Sequence, residues 1–269
     1  MRRHLVRVLL ASTLCLGTTA AAAEHPSLAK ARALYNAADY DGAIAEAAVA
    51  RSDPASADAA ALVMGRAHLE RFRLGSAPED LSAARELLGT VRAPVLTPRD
   101  QLDLLVGLGQ ALYLGEVFGA AAELFDSASS RASMLGDRDR LLLLDWWATA
   151  MDREAQRRPA DRRAPVNDRV MARMEEELRG DPGNAPANYW LAVAARGAGD
   201  LDRAWSAAVA GWVRSTLRPE STPTLRADLD RLVTEILIPE RARTWPSREQ
   251  PEALTTLRAE WESIKSQWR

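Results

Sequence analysis

The chain has 269 residues, 47% hydrophobic and 27% charged, with a formal net charge of −2; this is the composition of an ordinary globular protein of one or two domains and argues against disorder, collagen and a multi-pass membrane protein. All of its 35 Lys and Arg residues except Lys30 and Lys265 are Arg, and a charge so near zero gives no long-range pull toward nucleic acid or anionic lipid. Alanine makes up about a fifth of the chain and is the best helix former, so a helical fold is expected before any pattern is read.

At the N-terminus, Arg2, Arg3 and Arg7 flank the apolar run 8–16, and small residues follow as far as Ala21-Ala22-Ala23 before Glu24. A charged, an apolar and a cleavable region in that order read as a secretory signal peptide, residues 1–23, and predict a periplasmic or secreted protein. The alternative, an uncleaved anchor, has 16 apolar or small residues from Val8 to Ala23 against the roughly 20 that a spanning helix needs. Arg2-Arg3 leaves the Sec and twin-arginine routes both open. Leu14 before Cys15 makes no lipoprotein box. Once residues 1–23 are removed the chain has no cysteine, so disulfides, thiolate metal sites and cysteine nucleophiles drop out. Losing three Arg leaves 32 basic against 37 acidic residues, a charge of −5.

Self-similarity follows in the remaining chain. The segment 28–54 reads as two short helices broken at Ala38-Asp39, with Ala31 and Ala43 spaced by 12. Gly109 and Ala121, and Ala192 and Ala204, repeat that spacing, and Ala43 to Gly65 and Val170 to Ala192 are each 22, a 34-residue period. Two further units fit with insertions: Gly65 with Ala84, the excess lying near Phe72–Asp80, and Ala148 with Val170, the excess lying near Arg157–Pro165. Insertions of this composition are expected in loops. Leu105, Leu108, Leu112 and Phe125 fall at helical spacing along the seam of the third unit. The run Leu141–Leu144 with Trp146-Trp147 reads as apolar all round, a helix with neighbours on both sides, and the Trp pair as buried packing ahead of a binding hot spot.

After Leu217 the repeat stops. Leu225, Leu229, Leu232, Val233 and Ile236 form one amphipathic helix that Pro239 ends, and Leu254, Leu257, Trp261, Ile264 and Trp268 form another. Residues 218–269 are therefore expected to cap the array, the alternative being a detachable arm that carries Trp261 and Trp268 to a partner.

The stretch ALYNAADYDGAI, with Ala31 in the small slot, Asp39-Tyr40 at the turn and Ala43 in the second helix, resembles the tetratricopeptide repeat family. That resemblance covers residues 27–217. It implies an all-α, right-handed α-solenoid of about five helix pairs whose ligands lie in a concave groove lined by the first helix of each pair. By phase, the groove receives Arg32 and Tyr35, Arg66 and Glu70, Gln110 and Tyr113, Asp152, and Tyr189 and Arg196. Arg32 and Arg66 share a slot and could offer two guanidinium forks to carboxylates of an extended peptide, and Tyr35 and Tyr113 should project to the concave side. The peptide-carboxylate clamp of the co-chaperone members is absent, because its positions carry Leu28, Arg32, Val63, Asp103 and Gly107.

Motifs for chemistry are missing. No GxSxG elbow, HExxH, P-loop, GxGxxG or calcium loop occurs. His25 and His68 are the only histidines after residue 23, and His68 falls where a packed core residue is expected. Glu175-Glu176-Glu177 reads as a solvated face. No cofactor and no metal are expected. The sequence thus points to a non-enzymatic adaptor or assembly factor in the cell envelope, binding a protein or peptide through the groove, with no nucleic acid and no transmembrane segment after signal removal. A secreted enzyme and an envelope glycan or peptidoglycan binder remain the alternatives, because one scaffold carries many roles.

Overall fold

The computed structural model describes residues 24–268, so the signal-peptide reading of residues 1–23 lies outside it. Among the described residues all regular structure is helical, with no strand. Five consecutive pairs account for most of the chain: α1 (Pro26–Asn36) with α2 (Tyr40–Ala50), α3 (Ala57–Gly75) with α4 (Pro78–Thr90), α5 (Pro98–Leu114) with α6 (Phe118–Ser129), α7 (Asp137–Arg157) with α8 (Ala164–Gly180), and α9 (Ala185–Gly197) with α10 (Leu201–Arg214). The two helices of each pair pack together and each pair packs on the next.

Local chemistry sets where these helices begin. Pro26, Pro78 and Pro98 stand at first helical positions, where the missing N–H is no loss. The side chains of Asp39, Thr97, Asn184 and Asp200 cap α2, α5, α9 and α10 by accepting from a backbone N–H three residues on.

The three pairs that share the spacing of 12 also share one turn. Asp39, Val117 and Asp200 each donate a backbone N–H to the carbonyl five residues earlier, Leu34, Leu112 and Ala195, at 2.9–3.0 Å. The residue before each has positive φ: Ala38 at 62°, Glu116 at 63° and Gly199 at 85°. This is the Schellman ending, which turns the chain back within three residues. Only Gly199 adopts the left-handed conformation without a Cβ penalty.

The small-residue slots sit where the helices of a pair cross. Ala31, Ala43, Ala84, Ala121, Ala148, Ala192 and Ala204 are all fully buried. A Cβ on Gly65 would lie 2.7 Å from Leu88 Cγ, and one on Gly109 would lie 2.6 Å from Phe125 Cε1, so a side chain there would hold the helices apart. The two insertions resolve differently from expectation. Phe72–Leu74 is no loop: α3 stays helical to Gly75 and turns at Ser76, which adopts φ 55°. At the second, α7 lengthens to Arg157 and only 158–163 loops out, around a 3-10 turn at Ala160–Arg162.

The buried apolar side chains fall into three clusters in chain order. Leu28, Ala31, Ala47, Ala50, Ala60 and Val63 join α1 and α2 to α3. A second, centred on Leu62, Leu69, Leu88 and Leu104, joins α3 and α4 to α5. The third runs from Leu102 to Trp261 and unites the rest.

Beyond the pairs lie α11 (Thr222–Leu232), a π turn (Val233–Leu237), α12 (Ile238–Ala242) and α13 (Gln250–Gln267). Pro239 does not end the helix as the sequence implied. A proline has no N–H and its ring crowds the carbonyl four residues back; the wider π turn just before it accommodates both, and the chain stays helical to Ala242. The last helix folds back so that Trp261 is fully buried against Trp205 and Trp212 of α10, with ring centroids at 6.0 and 5.3 Å. Trp212 Nε1 and Arg226 Nη2 both donate to the Trp268 carbonyl, at 3.1 and 2.7 Å. The segment is thus packed onto the array, with Trp268 alone of its two sequence-noted Trp residues exposed.

Candidate functional site

Helix α3 packs beside both α1 and α5, and α9 beside both α7 and α11, but α5 and α7 touch only weakly. Between them opens a cleft of about 590 Å³, walled by α1, α3, α5 and α7. Five of the residues placed by phase come together here: Arg32, Tyr35, Arg66, Glu70 and Gln110.

Their chemistry differs from two free forks. The Arg32 guanidinium donates to both carboxylate oxygens of Asp100, at 2.8 and 3.1 Å, and to Glu24 at 2.8 Å. Burial works against the Arg32 charge, but Asp100 and Glu24 outweigh it and hold its pKa above the ordinary value. Arg66 pairs with Asp103 at 3.1 Å and lies over the Tyr35 ring with Cζ 4.8 Å from the centroid. Burial raises the Tyr35 hydroxyl pKa against the opposing charge of Arg66. Both guanidinium forks are therefore already engaged within the chain, because Asp100 and Asp103 of α5 stand opposite them.

Gln110 is different. It is 8% exposed and lines the cleft, yet its amide makes no hydrogen bond to any described residue. The Arg66 Nε, by contrast, is fully buried without an acceptor.

The other four phase-placed residues, Tyr113, Asp152, Tyr189 and Arg196, lie elsewhere. Tyr113 is held in the packing seam, edge to Trp146 at 5.1 Å and tilted on Phe118 at 5.2 Å, and does not line the cleft. Directly after Leu112, it meets side chains of α6 and α7 instead of the open cleft. Tyr189 and Arg196 lie on α9 in the second half of the chain. Arg196 is bidentate to Glu240 of α12 at 2.7 and 2.9 Å. Burial and the neighbouring Asp228, Asp152 and Asp145 raise the Tyr189 hydroxyl pKa.

Sequence reasoning missed much of the α7 wall. Leu142 belongs to the run read as apolar all round, but it is 48% exposed and faces the cleft. Arg138, one turn earlier, and Arg99 and Asp139 also line it. The Trp pair splits: Trp147 is buried, whereas Trp146 is half-buried on the cleft wall beneath Arg73, whose Cζ lies 5.3 Å from its ring centroid. A helical wheel of α7 separates the two tryptophans by 100°, the one signal that could have told them apart. His68, read as a packed residue, is partly buried and hydrogen-bonded to Asp80 at 2.7 Å.

Two carboxyl groups on α7 stand out electrostatically. Burial raises Asp145, opposed by the hydrogen bond from Trp190 Nε1 at 2.7 Å and reinforced by Asp228. Burial raises Asp152 too, opposed by Arg153 and Arg196. For a carboxyl whose folded pKa is raised, the cost of ionisation is fully present above that raised value and gone below the unfolded value of about 3.9. Asp145→Asn keeps an oxygen for Trp190 Nε1 and removes the charge. It is expected to unfold at an equal or higher temperature than the wild type at neutral pH, with the advantage shrinking as the pH falls toward 4. A lower melting temperature at pH 7 would show instead that the charge itself stabilises the fold.

Among the described residues, no group of three or more His, Cys, Asp and Glu has metal-holding geometry, and no helix is long and apolar enough to cross a membrane. No family model, no curated protein and no solved structure matches the chain.

Proposed function

We propose that this protein is a non-enzymatic adaptor or assembly factor of the cell envelope, a tetratricopeptide-like right-handed α-solenoid that binds a partner protein in the cleft between α5 and α7. The observation that carries this reading is the cleft itself: an open, mixed polar and aromatic wall on which the Gln110 amide bonds no described residue and Leu142 is exposed. Five helix pairs with a small residue at each crossing and a thrice-repeated turn support the repeat architecture. Binding rather than catalysis is supported by where the raised carboxyls lie. Asp145 and Asp152 are bonded to Trp190 and Gln156, and neither lines the cleft.

A photo-crosslinking amino acid at position 142, compared with one at the exposed Glu86 of α4, tests the reading in the cells that make the protein. A discrete protein adduct is expected at position 142 and none at 86. Equal labelling at both, or labelling at 86 alone, would move the partner off the cleft.

A further inference from the structure

Among the described residues, the longest uninterrupted run of exposed positions is 156–165, the connection between α7 and α8. Only a 3-10 turn at Ala160–Arg162 orders its middle, and its arginines come as two adjacent pairs, Arg157-Arg158 and Arg162-Arg163. Exposed loop tips of small and polar residues are where proteases cut, because the chain there can be drawn out into the extended form that a protease cleft takes.

The arginines of this loop are not equivalent. Arg157 still belongs to α7, and its guanidinium donates to the Glu116 carbonyl at 2.6 Å with Cζ 4.5 Å from the Phe118 ring centroid. Arg158 is paired with Glu154 at 3.0 Å, and Pro159 follows it, so the bond after Arg158 has no N–H and carries a ring at the leaving nitrogen. Arg163 donates through Nε to the Arg158 carbonyl at 2.9 Å, while its own carbonyl accepts from Asn167 Nδ2, Asn167 N and Val166 N, each at 3.1 Å. That carbonyl is held at the start of α8. Arg162 differs on every count: its side chain bonds no described residue, its carbonyl accepts no backbone bond, and a residue other than proline follows it. Only the turn restrains it, through the Arg162 N–H to Pro159 at 2.9 Å and the Arg163 N–H to Ala160 at 3.3 Å.

Exposed arginines of other connections are tied to the core or to a partner. Arg51 and Arg243 directly follow Ala50 and Ala242, which are 0% and 2% exposed, so drawing out either arginine would pull an alanine from its packing. Arg131 donates to Gln101 at 3.4 Å, and Arg248 pairs with Glu249 at 3.1 Å.

We propose that the Arg162–Arg163 peptide bond is a processing site for an endoprotease whose specificity pocket takes arginine, and that the cut molecule stays assembled. Hydrolysis breaks the bond between the Arg162 carbonyl carbon and the Arg163 nitrogen. The oxygen of one water goes to that carbon, leaving a carboxylate, and both its protons go to the nitrogen, leaving an ammonium. The pieces are joined by packing and not by the loop: Val166, Val170 and Met174 of α8 share a buried cluster with Leu143, Trp147 and Met151 of α7. Arg169 also ties α8 to Glu123 and Asp126 of α6, at 2.7 and 3.2 Å. All four helices that wall the cleft, α1, α3, α5 and α7, lie before the cut.

Limited digestion of the purified protein with trypsin, read by intact mass, tests this. The first products expected are a piece ending at Arg162 and one beginning at Arg163, eluting together from gel filtration at the volume of the uncut protein and keeping its helical circular dichroism. Arg162→Gln should slow that first cut by about a hundredfold or more, since a pocket built to pair a guanidinium rejects an amide. Arg158→Gln should leave it unchanged. Protein recovered from the cells that make it should include a chain beginning at Arg163. A first cut at any other arginine, an unchanged rate in Arg162→Gln, pieces that separate on gel filtration, or only uncut chain in those cells would each overturn the proposal.

Discussion

Trp261→Ala is expected to lower the unfolding free energy by about 3–5 kcal/mol, the cost of deleting a large aromatic side chain from a core that cannot collapse around the gap. Trp261 is fully buried between the edges of Trp205 and Trp212, and its Nε1 donates to Asp230 at 2.8 Å. Lys265 donates to the same oxygen at 2.8 Å. Burial opposes the charge on Asp230, but the bonds from Lys265 and Trp261 and the Lys265 charge prevail, so its pKa lies below the ordinary value. Such a group stabilises the fold above the unfolded pKa of about 3.9, and that contribution is lost as the pH falls through the depressed folded value. Urea unfolding should therefore show a large loss for Trp261→Ala at neutral pH and a narrower gap in strong acid. Trp261→Phe keeps an aromatic ring against the edges of Trp205 and Trp212 and gives up the indole bond, so a smaller loss is expected. A loss under about 1 kcal/mol for Trp261→Ala would mean that α13 behaves as a loosely attached arm, since an exposed site gives changes of that size.

The second large effect is expected at the crossing of α5 and α6. Phe125→Ala should cost about 3–5 kcal/mol, because Phe125 is fully buried and its ring fills the space over Gly109. Gly109→Ala should be destabilising too: the new methyl would meet Phe125 Cε1 at 2.6 Å, and the strain outweighs the roughly 1 kcal/mol that alanine gains over glycine inside a helix. The double variant separates packing from propensity. Its methyl enters the gap that the ring vacates, so it should be more stable than Phe125→Ala alone, a coupling visible in a double-mutant cycle. Strict additivity would show that the two helices shift apart instead of holding their crossing distance.

Ala31, Ala43, Gly109, Ala121, Ala192 and Ala204 made the helix pairs legible in the sequence, because a crossing tolerates only small residues and the spacing of 12 carries no insertion in those units. Asp39 and Asp200 were legible as turn residues, because a side-chain cap needs an oxygen at a fixed place. The insertions were misread where composition suggested a loop. Phe72–Leu74 lies next to Gly75, but a glycine at a helix end marks the stop and says nothing about the residues before it. Pro239 was misread for a related reason: a proline forbids one hydrogen bond, and a π turn can do without it. At the candidate site, phase alone put Arg32, Tyr35, Arg66 and Gln110 on one wall. It could not show that Asp100 and Asp103 sit opposite the two arginines, since that depends on how far α5 stands from α1 and α3. Nor could it show the gap between α5 and α7, which exposes Leu142 from within an apolar run.

The division of the apolar interior into three clusters bears on how the molecule comes apart. Most packing joins neighbours in the chain, which favours rapid assembly from local units and allows sub-global opening. The alanine-rich cluster at the N-terminal end buries mostly small side chains, so α1 and α2 are expected to be the unit that separates first. Side-chain ties to later helices oppose this, among them the paired bonds from Arg32 to Asp100 across 68 residues, the Arg71–Asp41 pair at 2.9 Å and Arg66 over the Tyr35 ring. Since Arg32 and Tyr35 also form one wall of the cleft, the free energy of that first opening sets how much of the time the wall is present, and slow hydrogen exchange in α1 becomes a measure of occupancy at a site some distance along the chain.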